Sequence, residues 1–189
     1  SDELYGSDIV LLELVKRLDP REFSPVVALP ADLPYLESGA RLSAELAKLQ
    51  VPVWRLDYAI LRRRYLSPSA LPAFAMRLWR GSRELAGRIR KDEIDLVHAN
   101  TVAVIGGALA ARLSHRALVW HVHEIIAQPR WLRWTIARIV TGWSDRVVAI
   151  SRPVAEHLLE YGAVRDARRK TQVIADAVDT ERQTPLDAG

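Results

Sequence analysis

The sequence predicts an α/β fold in which a parallel sheet carries helices on both faces. Short apolar runs rich in Val, Ile and Leu recur six times along the 189 residues, and each is separated from the next by a stretch with helical character. Regular alternation of strands and helices is typical of a parallel sheet that is covered on both faces. The chain length favours one compact domain.

The first half of the chain carries the helix-starting and helix-ending residues expected of this alternation. Ser7 can cap a helix that Asp19-Pro20 ends, and Ser67-Pro68 supplies the cap and the proline that favour the start of a long helix. The elements expected here are a helix at 7–18, a strand at 25–29, a helix at about 38–49, a strand at 51–56 and a helix at 67–91.

The second half continues the pattern with shorter helices. Ser151-Arg-Pro153 opens a helix, and Gly162 can close it in the left-handed conformation. The elements expected here are strands at 96–98, 117–122, 146–150 and 171–174, with helices at 102–113, 130–142 and 151–162.

The chain begins with a helix, although a regular α/β domain begins with a strand. In the doubly wound order 3-2-1-4-5-6, a strand before Gly6 would lie at the centre of the sheet. We therefore expect the natural chain to begin upstream of Ser1. The polar tail at 180–189 reads as a linker or as the truncated start of a further domain.

Composition excludes several classes of protein. The chain has no cysteine, which excludes disulfides and thiolate zinc sites. The longest uncharged, largely apolar run, 101–111, is about half the length that a membrane-spanning helix needs, and no signal peptide is visible. The formal net charge is +4. Arginines concentrated between residues 55 and 91 favour an anionic partner.

Two predicted strands end in imidazole, amide and carboxylate groups. His98 and Asn100 close one of them, and His121, His123 and Glu124 close the next. Ligands of open α/β sheets bind outside the carboxyl ends of the strands, so a site is expected here. The residues leave open a metal site, a catalytic hydrogen-bonding histidine or ordinary loop polarity, and His121 is expected to pack inside.

For the other candidate residues, a purely structural role explains the sequence as well as ligand binding does. Gly6 begins a helix whose exposed N–H groups could hold a phosphate or could simply be capped, and Ser151 is a cap or a ligand contact. In the segment at 130–143, one face of a helix carries tryptophan and arginine, which suits a membrane headgroup region or packing under a neighbour. The members of that face are Trp131, Trp134, Arg130 and Arg138.

Two further regions are not expected to form a binding site. The basic, aromatic loop at 62–65 could bind nucleic acid, but no recognition motif accompanies it, and a solvated loop is preferred. Met76 and Trp79 in the long helix are expected in the core.

Four ordered motifs then resemble the N-terminal domain of GT-B glycosyltransferases of the group-1 (family 4) retaining class, which has a Rossmann-like fold. The motifs are DLVHANT at 95–101, HVHE at 121–124, SDRVVAIS at 144–151 and VIADAVD at 173–179, and YGSDIVLLEL at 5–14 resembles the end of the family's glycine-rich loop. Two departures are visible: the family's Pro-Asn-Gly appears as Ala175-Asp-Ala177, and its double glycine survives only as Gly6.

The resemblance implies an acceptor-side domain at 1–179 of an enzyme that transfers a sugar from a nucleotide-sugar donor, with retention, to a glycan, lipid or small-molecule acceptor. The donor would be held mainly by an absent C-terminal domain, so the isolated chain is expected to be inactive, with no cofactor or metal of its own. His123 is expected to be catalytic, with donor or acceptor contacts from Glu124, His98, Asn100, Gly6 and Ser151.

We expect a cytoplasmic protein whose tryptophan and arginine face contacts an anionic membrane surface, and no nucleic-acid partner. A stand-alone α/β module that binds a small ligand and a GT-B nucleotide-sugar epimerase remain as alternatives.

Overall fold

A computed structural model describes residues 6–31, 41–61, 69–126, 129–162 and 165–176. Within these ranges the predicted alternation of helices and strands is confirmed. The helices are α1 (Gly6–Arg17), α2 (Leu42–Lys48), α3 (Leu71–Lys91), α4 (Ile105–Ser114), α5 (Arg130–Trp143), α6 (Arg152–Gly162) and α7 (Ala167–Lys170). The strands are β1 (Val27–Pro30), β2 (Val53–Leu56), β3 (Leu96–Ala99), β4 (Ala117–Val122), β5 (Arg146–Ala149) and β6 (Thr171–Val173).

The strands form two parallel sheets within the described ranges, one with the order β1-β2 and one with the order β3-β4-β5-β6. The predicted parallel strands are therefore confirmed, and they are divided between two sheets. The break lies between β1 and β3, the two strands that the expected first strand would separate in the order 3-2-1-4-5-6.

A tyrosine binds the edge of β1 that faces away from β2. The N–H of Val27 donates to Pro52, just before β2, and that of Ala31 donates to Leu56 of β2, so the backbone groups of Ala28 face the other way. The Tyr58 hydroxyl donates to the Ala28 carbonyl at 2.9 Å. This bond satisfies a backbone acceptor that the sheet leaves unpaired.

Helices cover both faces, which confirms the predicted fold class. The side chains of Val27 and Leu29 pack against α1 and α2. On the opposite face of the same strands, Trp54 and Leu56 pack with residues of α3 and α4. The largest core lies between the four-stranded sheet and helices α4, α5 and α6, where Trp120 is fully buried.

One predicted helix end differs from the structure in its conformation, and another lies outside the described residues. Gly162 ends α6 as expected, but the positive-φ residues do not include it. It is a glycine for steric reasons: a Cβ there would lie 2.8 Å from Oγ1 of the buried Thr141 in α5. Helix α3 begins at Leu71 in the described part of the chain, and the predicted Ser67-Pro68 start lies outside it.

None of the helices in the described ranges is long and apolar enough to cross a membrane.

Candidate functional site

The histidines of β3 and β4 lie on one face of the four-stranded sheet. Side chains alternate across a strand, and Trp120 and Val122 point into the core, so His121 and His123 point to the opposite face. His98 of β3 pairs with Val119 of β4, which lies two residues before His121 and therefore on the same face. The parallel register thus brings the three imidazoles together at the carboxyl end of the sheet.

The three rings are in direct contact. The ring centroids of His98 and His121 are 5.6 Å apart, and those of His121 and His123 are 4.3 Å apart. His121 is only 8% exposed, which confirms the prediction that it packs inside.

Burial keeps two of these imidazoles neutral at physiological pH. The pKa of His98 is lowered to about 4, first by burial and then by the neighbouring His121 and His123. The pKa of His121 is also lowered, first by burial and then by His123, and the Asp176 carboxylate opposes the shift. Each neutral ring offers one nitrogen that can accept a hydrogen bond or bind a metal.

Asp176 is a member of this cluster that sequence reasoning missed. It follows β6, and its carboxylate oxygens lie 3.6 Å from Nε2 of His121 and 3.4 Å from Nδ1 of His123. In the sequence it stands out only as part of a departure from a family motif. Its position just beyond the carboxyl end of the last strand, like that of His123 beyond β4, is the signal that could have identified it.

Asn100 ties the end of β3 to the first helix. Its Nδ2 donates to the backbone oxygen of Ser7 at 2.7 Å. Ser7 lies in the first turn of α1, which begins at Gly6, and not in the capping position that the sequence predicted. Gly6 has a φ of +35°, in the region that glycine tolerates best. The predicted contact residues Asn100 and Gly6 are therefore neighbours.

Glu124 holds the loop that follows β3. Its Oε2 accepts a hydrogen bond from the N–H of Val102 at 3.4 Å. In the same loop, the Thr101 carbonyl accepts a bond from the indole N–H of Trp120 at 2.7 Å. Two residues of the β4 region thus fix the loop after β3, and Glu124 has a positioning role in the structure.

Ser151 caps α6. Its hydroxyl oxygen accepts a hydrogen bond from the N–H of Val154 at 3.4 Å, as expected of a residue before the first turn. It follows β5, at the same edge of the sheet as the histidines. Its contact with a ligand stays a prediction.

Five buried polar atoms of this cluster have no hydrogen-bond partner among the described residues. Leaving such an atom unsatisfied costs about 1–3 kcal/mol, so a concentration of them indicates a site for a polar ligand or ion. The atoms are Nδ1 of His98, Oδ1 of Asn100, Nε2 of His121, Nε2 of His123 and Oδ1 of Asp176.

Helix α5 exposes the face that the sequence assigned to it. Trp131 and Trp134 are each 52% exposed, and the guanidinium of Arg138 lies 4.8 Å from the ring centroid of Trp134. With Arg130, these residues define the α5 outer face. The opposite side of the helix, which includes Ile136, is buried in the core.

Helix α3 exposes residues that were expected inside. Met76 is 59% exposed and Trp79 is 47% exposed, so their prediction as core residues is wrong. The helix buries a different stripe, which includes Phe74, Leu85 and Ile89. The basic loop at 62–65 lies outside the described residues.

Comparison with known proteins gives matches of two kinds. The family model described as Glycosyltransferase Family 4 matches residues 5–182. None of the curated proteins matches the chain. Among solved structures, HepE from Anabaena in complex with UDP is similar at 19% identity and a TM-score of 0.59, over 95% of this chain and 43% of that one.

Two other solved structures show the same fold. A glycosyltransferase from Rickettsia africae matches at 19% identity and a TM-score of 0.59, over 95% of this chain and 42% of that one. MurG from Acinetobacter baumannii matches at 15% identity and a TM-score of 0.56, over 98% of this chain and 46% of that one. The chain thus spans less than half the length of each of these proteins.

Proposed function

Because the chain belongs to glycosyltransferase family 4, we propose that it forms the acceptor-side half of an enzyme that transfers a sugar from a nucleotide-sugar to an acceptor with retention of configuration. Residues 1–179 would be this half, and 180–189 would lead to a donor-binding domain. The relatives support the proposal because each is more than twice as long as the part that this chain matches. Alone, the chain would form only one wall of the cleft.

The observation that carries the proposal is the buried Nε2 of His123. Its Nε2 is buried without a hydrogen-bond partner among the described residues, while its Nδ1 faces Asp176. A sugar hydroxyl at the cleft would satisfy that nitrogen. In the transition state of a retaining transfer, positive charge develops on the sugar ring, and a fixed polar group stabilises it without forming a covalent bond.

The other predicted residues have supporting roles in this proposal. Asn100 keeps its Oδ1 available for a hydroxyl while its amide group holds α1, and His98 supports the ring of His121. Glu124 fixes the loop beside the site. No metal is required by this step, because hydrogen bonds and positioning carry it.

The test is the substitution His123→Ala in the intact enzyme. Loss of one polar contact to the reacting centre costs about 100- to 1,000-fold in kcat, so transfer should fall by that order while the melting temperature changes little. His115→Ala, which removes an exposed imidazole just before β4, at the opposite edge of the sheet, is the matched control. Transfer by His123→Ala at the rate of the control would remove His123 from the site.

The first donor to assay is UDP-glucose, because one of the similar structures is HepE in complex with UDP-glucose. A putative UDP-N-acetylglucosamine 2-epimerase from Listeria monocytogenes is also similar, at 16% identity and a TM-score of 0.54. Epimerisation of the donor without transfer to any acceptor would favour that second function.

We further propose that the protein is cytoplasmic and docks its α5 outer face on an anionic membrane. Two half-exposed tryptophans beside Arg130 and Arg138 support this, since aromatic rings insert at the headgroup level and cations attract anionic lipid. A lipid acceptor would then lie close to the site.

The test is sedimentation with anionic vesicles. Replacing Trp131 and Trp134 together by Ala should release the protein from the vesicles. Replacing Met76 and Trp79 together by Ala is the control, because it removes a similar exposed area from α3. Unchanged binding by the α5 variant would reject the docking surface.

A further inference from the structure

We propose that His121, His123 and Asp176 form a binding site for a divalent transition-metal ion of the Zn²⁺ class. Each residue supplies one ligand atom, and these three atoms lie within 4.8 Å of one another. The proposal goes beyond sugar transfer and does not depend on it.

The distances between the ligand atoms fit one ion. Zinc bonds to imidazole nitrogen and carboxylate oxygen are about 2.0–2.2 Å long, which places neighbouring ligand atoms of a tetrahedral site about 3.3–3.6 Å apart. Oδ1 of Asp176 lies 3.6 Å from Nε2 of His121, and Oδ2 of the same carboxylate lies 3.4 Å from Nδ1 of His123. Small side-chain rotations would bring all three atoms into contact with a common centre.

Burial distinguishes this group from an ordinary surface cluster. The side chains of His121 and His123 are each 10% exposed, and that of Asp176 is 23% exposed. Nε2 of His121 and Oδ1 of Asp176 are buried without a hydrogen-bond partner among the described residues. One cation between them would satisfy both atoms and neutralise the carboxylate.

The donor set selects the class of ion. Two imidazoles and one carboxylate suit Zn²⁺, Co²⁺ and similar ions, whereas Mg²⁺ and Ca²⁺ prefer oxygen ligands. Three protein ligands leave a fourth position for water or a substrate oxygen. Because His123 uses Nδ1, its Nε2 remains available for a sugar hydroxyl.

The structure changes the set of candidate metal ligands that the sequence suggested. That set combined His98, His121, His123 and Glu124, but Glu124 binds the N–H of Val102. Asp176, from beyond the last strand, supplies the carboxylate instead. His98 contacts the ring of His121 and lies outside the three-residue group.

The test is direct metal binding by the untagged 189-residue chain. Titration of Zn²⁺ against a chromophoric chelator should show one site with a Kd below about 50 µM. Co²⁺ should give the absorption of a four-coordinate site, and Mg²⁺ should not compete. Loss of an outer-shell partner already costs about 10- to 100-fold in metal affinity, so loss of a ligand should cost at least about tenfold.

His121→Ala and Asp176→Asn are the test variants, and His115→Ala is the control. Asp176→Asn keeps the shape of the side chain and places there the Asn of the family's usual Pro-Asn-Gly, so it should fold. A wild-type Kd above about 50 µM would overturn the proposal, and so would wild-type affinity in either folded variant. Because the readout is metal affinity, this result is independent of the transfer assay on His123→Ala.

Discussion

Two glycines of helix α3 should respond in opposite directions to the same substitution. Gly81 lies where the helix crosses the chain after β2, and a Cβ there would be 2.3 Å from the backbone oxygen of Asp57 and 2.6 Å from Cα of Tyr58. Gly87, six residues later, has nothing within 4 Å of the position of a Cβ. Gly81 therefore allows the backbone of α3 to lie close to the chain after β2, whereas Gly87 lies beside open space.

The structure sets the size of each effect. Ordinary van der Waals contact begins near 3.4 Å, so Gly81→Ala must move the helix and the Asp57–Tyr58 backbone apart by about 1 Å. Overpacking of this kind costs about 1–3 kcal/mol, occasionally more. The gain in helix propensity is about 1 kcal/mol at either position. We expect Gly81→Ala to destabilise the fold by about 1 kcal/mol, which is the middle of the overpacking range less the gain in helix propensity, and Gly87→Ala to stabilise it by up to about 1 kcal/mol.

Urea unfolding followed by circular dichroism measures both free energies of unfolding on the same protein. Gly87→Ala is the matched control, because it makes the same chemical change in the same helix. Equal shifts for the two variants, or a gain in stability for Gly81→Ala, would refute the reasoning from close approach. Gly81→Ala should also disturb the candidate site. Leu61, three residues after Tyr58, donates its N–H to the carbonyl of Ala103 in the loop that follows β3, so a shift of this segment reaches that loop.

The free energy of unfolding should fall as the pH is lowered from about 6.5 to 4, because the pKa of His98 is lowered to about 4 and the unfolded chain therefore binds more protons in this window. The loss should be about 3 kcal/mol in buffer with a chelator, and His98→Gln should flatten the slope; an unchanged slope would show that His98 does not cause it. Trp120→Phe should cost about 1–3 kcal/mol in urea unfolding, because it leaves the Thr101 carbonyl without its indole donor; a loss below 0.5 kcal/mol would mean that water replaces the donor. Calorimetric titration of UDP-glucose into the 189-residue chain should show no saturable heat, and micromolar binding would contradict the proposed division of labour between two domains.

The sequence predicted the element order well because both signals that it carries are local. The spacing of apolar residues and helix-ending signals such as Asp19-Pro20 both depend on residues a few positions apart. They placed all six strands within a few residues of their observed bounds. The same locality explains the error at Met76 and Trp79. Their spacing fits a helix, but which side of that helix is buried depends on the sheet and on α4.

The local character of these signals also explains why only part of the candidate site was predicted. His98, His121 and His123 could be found because each ends a strand, and the rule for the carboxyl ends of parallel strands needs no coordinates. Asp176 could not be paired with them, because it is more than fifty residues away along the chain and no local pattern links it to β4. The ligand contact expected of Glu124 stays a prediction, and its bond to the N–H of Val102 depends on tertiary packing that no local pattern records.

The sequence by itself determined the α/β class, the strand ends that carry chemistry and the family to which the chain belongs. Only the tertiary structure decided that the described strands form two sheets, that Gly81 and Gly162 are required by close approach, and that a carboxylate from beyond the last strand meets the imidazoles of His121 and His123. The physical reason is that periodicity records which residues are buried, whereas the register between strands and the distance between helices decide which buried residues meet.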